Sequence, residues 1–309
     1  MKGIIFGGCS FTWGQGLYFY SDLNNLAYPP NENTFNGEDL KLSHIKFREK
    51  LYYPRLVANH FNTFEAFKNA NGGSEDETFQ FFKFVFEDKS RTADHISYEK
   101  FNYHDFDYMI IQLSQMWRNR FYYDKNDTNK FINIPIHNLS EIEKRYPDFL
   151  EWFYNSDYTF DDCQENMLEQ QFLRLKKEVM FYEEKGIKVR ILSWQNDLVP
   201  SILNDTYLCD RFIKLKYKNK EHKTIESLQR EHKNMVIKTD FDNFVETPPM
   251  DHHPSKLCHQ VIAENISMEE ALVLIAARIA YDESKSGKKT RRNKKKSKNC
   301  RFKQAVGCS

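Results

Sequence analysis

The chain has 309 residues, of which 40% are hydrophobic, 15% aromatic and 29% charged, and its formal net charge is +1. This length suffices for one large α/β domain with a sizeable core. No apolar run approaches the length needed to cross a bilayer, and the first residues lack the pattern of a signal peptide, so we expect no membrane partner.

The cysteines indicate the compartment. Six are scattered along the chain without the spacing of metal ligands. Without a secretion signal, this pattern predicts reduced thiols and a cytoplasmic protein, and it does not indicate a metal site. A viral protein released by lysis would show the same pattern.

The first 114 residues alternate predicted strands and helices. An apolar strand is expected at 2–7, followed by a helix at 54–60 that begins with proline. A second strand is expected at 64–68, Ser74 is placed to cap the next helix, and a third strand is expected at 108–113. This alternation predicts a parallel sheet with right-handed crossovers.

The alternation of predicted strands and helices is interrupted after the third strand. Residues 115–160 are rich in aromatic, Asn and Asp residues, which predicts an insertion or lid over the carboxyl edge of the sheet. A charged helix is expected at 161–185 and a clear strand at 187–192. A weaker strand at 235–238 would be the fifth. We therefore predict a three-layer α/β/α domain over residues 1–281.

The end of the domain and the tail differ in character. Ser255 is placed to cap a last helix. Residues 282–309 have little to bury and are expected to be disordered. From Ser284 to Ser309 there are eleven Lys or Arg and no acidic residues, which leaves 34 basic against 44 acidic residues elsewhere. The charge of residues 285–303 therefore predicts contact with a polyanion such as nucleic acid. Two alternatives remain open: the tail could serve solubility or targeting, or it could bind electrostatically to the acidic remainder of the same chain.

Two short motifs carry the candidate chemistry. Ser10 follows the first strand, where open α/β sheets bind ligands at the carboxyl ends of strands. A serine nucleophile needs a base to remove its proton and an acidic residue to orient that base. His253 could supply the base and Asp251 the acid. Three alternatives stay open: Ser10 as a helix cap, His252 as the base, and both histidines as surface residues.

These motifs resemble those of the SGNH (GDSL-type) hydrolase family. The run Gly8-Cys9-Ser10-Phe11-Thr12 is similar to its first block, with Cys9 in place of Asp. Asn69 to Ser74 is similar to the second block, and the strand ending at Ser114 to the third, with Ser in place of Asn. The run Asp251-His252-His253-Pro254 is similar to the last block.

The resemblance implies a flavodoxin-like sheet and an ester hydrolase that works through an acyl-enzyme without a cofactor. The catalytic residues that it implies are Ser10 as nucleophile, His253 as base and Asp251 as the acid. The implied oxyanion hole uses the backbone of Ser10, the backbone of Gly72 or Gly73, and Ser114.

Three further residues are candidates for substrate binding because they follow the third and fourth strands. These are Arg118, Trp194 and Asn196. Arg118 is equally compatible with a solvated helix start, and Trp194 with core packing. The preferred substrate is an acylated carbohydrate, and the enzyme an esterase or acetylesterase. The alternative is a catalytically weak or inactive SGNH-like binding module, associated with nucleic acid through its tail.

Overall fold

The computed structural model describes most of the first 268 residues. The described residues are 2–9, 12, 17, 48–67, 74–87, 101–115, 118–124, 127, 129–133, 138–195, 197–237 and 253–268. The chain divides into two compact units, Met1–Asn265 and Ile266–Ser309. In the second unit, residues 266–268 are described, and they are helical.

The elements alternate along the chain. The strands are β1 (Gly3–Gly7), β2 (Glu65–Phe67), β3 (Phe106–Leu113), β4 (Phe121–Tyr122), β5 (Phe131–Ile132), β6 (Lys188–Ser193), β7 (Leu215–Tyr217) and β8 (Lys220–His222). The helices are α1 (Tyr53–His60), α2 (Glu75–Phe86), α3 (Leu139–Arg145), α4 (Pro147–Tyr154), α5 (Phe160–Glu184), α6 (Val199–Asn204), α7 (Ile225–Glu231) and α8 (residues 256–268). Short 3₁₀ turns lie at Tyr103–Asp105, Cys209–Arg211 and Lys233–Met235.

Four strands form a parallel sheet in the order β2-β1-β3-β6. Beside β6, Phe212 makes a single parallel bridge to Ile191, and the N–H of Ile213 donates to the Ile191 carbonyl at 2.8 Å. This is the position of a fifth strand. The predicted α/β class and parallel sheet are confirmed. The strand order reverses between β1 and β3, so a crevice is expected outside their carboxyl ends.

One face of the sheet is covered by α2 and α5. Ile5, Met109 and Ile111 alternate with residues of the other face and belong to the main apolar core. The helices contribute aromatic and aliphatic side chains to this core, among them Phe79, Phe82, Leu175, Val179 and Tyr182. Burial of these side chains provides the main driving force for this packing.

The opposite face is covered by α1 and α8. Phe6 points away from Ile5 because successive strand residues face opposite sides, and its ring lies 5.8 Å from the ring of Tyr53 on α1. Tyr53 in turn stacks on His259 of α8, with ring centroids 5.8 Å apart. Helices on both faces are compatible with the predicted three-layer arrangement.

Local signals in the sequence placed several helix ends correctly. The Ser74 hydroxyl accepts the Glu77 N–H at 3.2 Å and caps α2. Pro54 stands in the first turn of α1. Gly186 adopts a φ of +87° just after α5, a conformation that favours glycine at a helix end.

Two features differ from the expectations. The segment after β3 contains the β4–β5 hairpin and the helices α3 and α4, which the sequence analysis did not predict. Their apolar side chains Phe121, Ile132, Ile142 and Phe149 form a small core together with Cys163 and Met167 of α5. Helices of seven and eight residues show too few turns for a clear periodicity.

The strand predicted at 235–238 is wrong for its described residues. A 3₁₀ turn occupies Lys233–Met235, and Val236 makes an isolated antiparallel bridge to Pro254. This short pairing lies outside the parallel sheet. Three apolar residues in a row were a weak strand signal, because a short apolar run has no period of its own.

Among the described residues, no helix has the length and apolar character needed to span a membrane. The predicted tail, residues 282–309, lies outside the part of the chain that the structure describes.

Candidate functional site at the carboxyl edge of the sheet

Two glycines allow close packing where β1 ends. A Cβ atom on Gly7 would lie 2.3 Å from Cγ2 of Thr78 on α2. A Cβ atom on Gly8 would lie 2.2 Å from Oγ1 of Thr12 and 2.9 Å from Cβ of Gln112. Contacts this short are not tolerated, so the Gly-Gly pair lets α2 and the turn after β1 approach the strand closely.

A chain of buried hydrogen bonds lies beneath that turn. The Thr12 hydroxyl donates to Oε1 of Gln112 at 2.7 Å, so it accepts from the Tyr53 hydroxyl 2.9 Å away. Nε2 of Gln112 donates to Sγ of Cys9 at 3.1 Å. Burial raises the pKa of Tyr53, which keeps its hydroxyl a donor. The chain ties β1, β3 and α1 together at one edge.

His259 extends this arrangement to α8. Its Nδ1 accepts the backbone N–H of Tyr53 at 3.2 Å. Burial, together with the nearby charge of His253, lowers the pKa of His259 to about 3. His259 is therefore neutral at physiological pH. Its Nε2 is buried and has no hydrogen-bond partner in the described part of the chain.

The backbone around His253 is fixed by hydrogen bonds. Its carbonyl accepts the N–H of Ile237 at 3.0 Å, next to the Val236–Pro254 bridge. The Ser255 hydroxyl donates to the Asn234 carbonyl at 2.7 Å and accepts the N–H of Cys258 at 3.2 Å. Ser255 therefore caps α8 as predicted, and it anchors the chain just after His253.

Ser114 follows β3 and contacts Glu75. Its backbone N–H donates to Oε1 of Glu75 at 2.6 Å, and its hydroxyl donates to Oε2 at 3.1 Å. Burial raises the pKa of Glu75, while hydrogen bonds from Asn119 and Ser114 oppose that shift. A carboxyl in the first turn of α2 thus holds the end of β3.

The first turn of α2 has further partners. Oδ1 of Asn119 accepts the N–H of Glu75 at 2.8 Å, and Nδ2 of Asn119 donates to Gln171 at 3.1 Å. The carboxylate of Asp76 forms an ion pair with Arg174 of α5. The segment after β3, α2 and α5 are therefore joined by polar contacts beside the sheet.

A cavity of about 390 Å³ opens next to this network. It lies between α2, the end of β3, the β4 segment and α5, and a cavity of this size can hold a small ligand. Its walls combine apolar and polar side chains: Glu75, Asp76, Phe79, Leu113, Asn119, Arg120, Tyr122, Gln170, Gln171, Leu173, Arg174, Leu175 and Leu198.

Two of the predicted substrate-binding residues contact each other. The guanidinium of Arg118 lies 5.8 Å from the ring centroid of Trp194, within the range of a cation–π interaction. Nε of Arg118 donates to Gln115 at 3.2 Å. The N–H of Trp194 donates to the Leu113 carbonyl at 3.0 Å, which keeps Trp194 beside the end of β3.

The described residues include His253, Ser114, Arg118 and Trp194 among the predicted site residues. The other predicted residues lie outside the described part of the chain: Ser10, Gly72, Gly73, Asn196, Asp251 and, in the tail, 285–303. The roles assigned to all of these residues stay predictions.

Several residues of this edge were not predicted from the sequence. Glu75 was not singled out from the sequence, yet it is buried and binds Ser114. Gln112 had a detectable signal, because it is a lone polar residue in an otherwise apolar strand end. Tyr53 and Asn119 had no such signal in the sequence, since their hydrogen-bond partners are remote in sequence.

No family model matches the chain, no curated protein matches it, and no solved structure matches it.

Proposed function

We propose that the protein is a serine-dependent ester hydrolase. The Ser10 hydroxyl attacks the ester carbonyl, and His253 takes its proton and passes it to the departing alcohol. Asp251 holds the imidazole and stabilises its protonated form. Water, deprotonated by His253, then attacks the acyl-enzyme, which releases the acid and restores Ser10. No cofactor takes part in the proposed reaction.

One observation carries this proposal. Tyr53 hydrogen-bonds to Thr12 through its hydroxyl and to His259 through its backbone N–H. Thr12 follows Ser10 by two residues, and His259 follows His253 by six. The two segments that bear the proposed nucleophile and base are therefore linked through a single residue of α1, at the edge where α/β sheets bind ligands.

The proposed oxyanion hole consists of the backbone N–H groups of Ser10 and of Gly72 or Gly73, with Ser114 as a third donor. The Ser114 hydroxyl donates to Glu75, so it would have to leave that carboxylate to reach the oxyanion. Removing one such donor from a hydrolase costs about 10²–10³ in rate.

The cavity beside β3 supports a substrate with a short acyl group. Its apolar walls include Phe79, Leu113 and Leu198, which suit an acyl chain. The Arg118–Trp194 pair adds a cation and an aromatic face near the same strand end, which suits the hydroxyl groups and rings of a carbohydrate. We therefore propose an acylated carbohydrate as substrate.

The test is hydrolysis of short-chain nitrophenyl esters together with labelling by a fluorophosphonate probe. We expect Ser10→Ala to abolish both labelling and turnover, and His253→Gln to lower turnover at least a hundredfold. Ser140→Ala, at an exposed serine of α3, is the matched control and should retain both. Unchanged turnover in Ser10→Ala would refute the proposal.

One observation favours the alternative of a binding module with weak or no catalysis. Both donors of Ser114 are engaged by Glu75. In a hydrolase that uses the Ser114 hydroxyl, Ser114→Ala should lower kcat about 10²–10³-fold. A binding module would bind an acylated sugar without turnover, and the probe would not label Ser10.

A nucleic-acid partner is proposed separately for the basic segment 285–303. Binding of DNA or RNA through this segment would weaken steeply with salt, because counterions are released when phosphates are neutralised. Deletion of residues 284–309 should abolish that binding. Salt-sensitive binding that persists after the deletion would refute this idea.

A further inference from the structure

Three side chains with metal-binding atoms lie close together in space. In sequence they are separate from the proposed catalytic residues. They are His222 at the end of β8, Glu231 at the end of α7, and His232 just after it. Each offers one ligand atom, and these atoms all lie within 4.8 Å of one another.

Local structure explains how these residues meet. Lys218 and Asn219 have φ values of +49° and +64°, as expected of the tight turn that joins β7 to β8. Thr224 then caps α7, since its hydroxyl accepts the Ser227 N–H at 3.0 Å. Because α7 begins so soon after β8, Glu231 at the end of the helix lies close to His222. Nδ1 of His222 is 3.8 Å from Oε2 of Glu231.

The two histidines have unused nitrogen atoms. His222 is 3% exposed, and the rings of His222 and His232 lie 5.5 Å apart. Nε2 of each ring is buried and has no hydrogen-bond partner among the described residues. Buried polar atoms without a partner are uncommon in folded proteins, so two such nitrogens beside a carboxylate call for an explanation, and a bound ion is one.

We propose that His222, Glu231 and His232 form a binding site for a transition-metal cation of the Zn²⁺ type. Two imidazoles and one carboxylate are ligands that zinc accepts, whereas Mg²⁺ and Ca²⁺ prefer oxygen ligands alone. Ligand atoms around tetrahedral zinc are roughly 3.3 Å apart, so the three need to close by at most about 1.5 Å. Water takes the fourth position.

A lysine competes for this site. Nζ of Lys220 lies 2.6 Å from Oε2 of Glu231, so the cation must displace an ammonium group from the carboxylate. The site is partly open, since Glu231 is exposed and His232 is half-buried. Removing the lysine charge should therefore strengthen metal binding.

The position of the site indicates its role. His232 leads directly into the segment whose Met235 carbonyl accepts the Ser255 N–H at 2.9 Å and whose Ile237 N–H donates to His253. A metal at His222 and His232 would hold the start of this segment and thereby stabilise the backbone around His253. The metal site itself does not depend on the proposed hydrolase activity.

The test uses tag-free, full-length protein that has been stripped with a chelator. We expect calorimetric titration with ZnCl₂ to show one ion per chain at this site and a rise in Tm, because a ligand of the folded state stabilises it. Substituted Co²⁺ should give the visible absorption of a tetrahedral site. His232→Gln and Glu231→Gln, each at a position that is not fully buried, should weaken Zn²⁺ binding by roughly 100-fold or more.

Matched variants control for general effects. His104→Gln and Glu143→Gln change exposed residues of the same types, and they should bind Zn²⁺ as the parent does. Lys220→Met should bind it more tightly. If the double variant His222→Gln/His232→Gln keeps the same Zn²⁺ affinity and Tm rise, the ion binds elsewhere and the proposal is wrong. Absence of Zn²⁺ binding by the parent protein at micromolar concentration would also overturn it.

Discussion

Glu75 accepts two hydrogen bonds from Ser114, one from the backbone N–H at 2.6 Å and one from the hydroxyl at 3.1 Å. The pair joins the first turn of α2 to the carboxyl end of β3. Both residues are buried, so removal of the carboxyl would leave two donors without a partner, at a cost of about 1–3 kcal/mol each.

Replacement of Glu75 by Gln should change how stability depends on pH. Burial raises the pKa of Glu75 above the ordinary value of 4.5. As pH rises from 4.5 through the raised pKa, the unfolded chain has released a proton that the native state retains, so the free energy of unfolding should fall. Glu75→Gln should remove this loss, as measured by urea denaturation between pH 4 and 8.

Glu77→Gln is the matched control, because Glu77 is an exposed residue of the same helix turn. It should leave the pH dependence of the parent protein unchanged. If the free energy of unfolding depends on pH identically in the parent and in Glu75→Gln, the raised pKa is wrongly assigned to the Glu75 carboxyl.

His259 should contribute the opposite pH dependence. Its pKa is about 3 in the native state and 6.5 in the unfolded chain. Between these values the unfolded chain binds the extra proton, so stability is complete above pH 6.5 and is lost as pH falls toward 3. A pKa difference of this size corresponds to about 4–5 kcal/mol in the free energy of unfolding.

His259→Asn keeps an acceptor for the Tyr53 N–H and lacks the titrating ring. We expect its free energy of unfolding, measured with urea at pH 4 to 7, to depend less steeply on pH than that of the parent. The exposed His104→Gln serves as control and should retain the steep dependence. A variant His259→Asn that loses stability in acid as the parent does would disprove the prediction.

Gly8→Ala should destabilise the protein through a steric clash. The new Cβ would lie 2.2 Å from Oγ1 of Thr12, which is held by hydrogen bonds to Tyr53 and Gln112. Overpacking of a tight site typically costs about 1–3 kcal/mol. Chemical denaturation of both proteins measures this difference.

Gly186→Asn provides the comparison for Gly8→Ala. Gly186 has a φ of +87°, and no heavy atom of the described residues lies within 4 Å of the added Cβ position. Asn tolerates that conformation, so the cost should stay below about 1 kcal/mol. Equal costs for the two variants would show that the tight packing at Gly8 has no consequence.

Leu173→Trp should alter the preference for acyl chain length, provided that the proposed hydrolysis occurs. Leu173 lines the cavity and is 56% exposed, so a larger side chain should fill the opening without disturbing the core. We expect kcat/KM for a hexanoyl ester to fall about tenfold relative to an acetyl ester, a discrimination typical of a few methylene groups.

Met180→Trp is the control for this measurement. Met180 is 43% exposed on the same helix and does not line the cavity. It should leave the ratio of the two kcat/KM values unchanged. If Leu173→Trp also leaves that ratio unchanged, the acyl group binds elsewhere.

Elements with strong local signals were predictable. The apolar run of β1, the proline of α1, the Ser74 cap and the glycine after α5 all act through neighbours in sequence. The short helices α3 and α4 were not, because their stability comes from a shared apolar cluster rather than from their own sequence period.

The same contrast applies to the candidate site. The sequence alone determined the parallel α/β pattern and the residue types that suggest ester chemistry, because strand periodicity, helix caps and short motifs depend on neighbouring residues. Only the tertiary structure decided that Tyr53 meets His259, 206 positions away, and that Thr12 meets Gln112, 100 positions away. Such pairings depend on the free energy of burying a whole sheet between helices, and no local propensity encodes them.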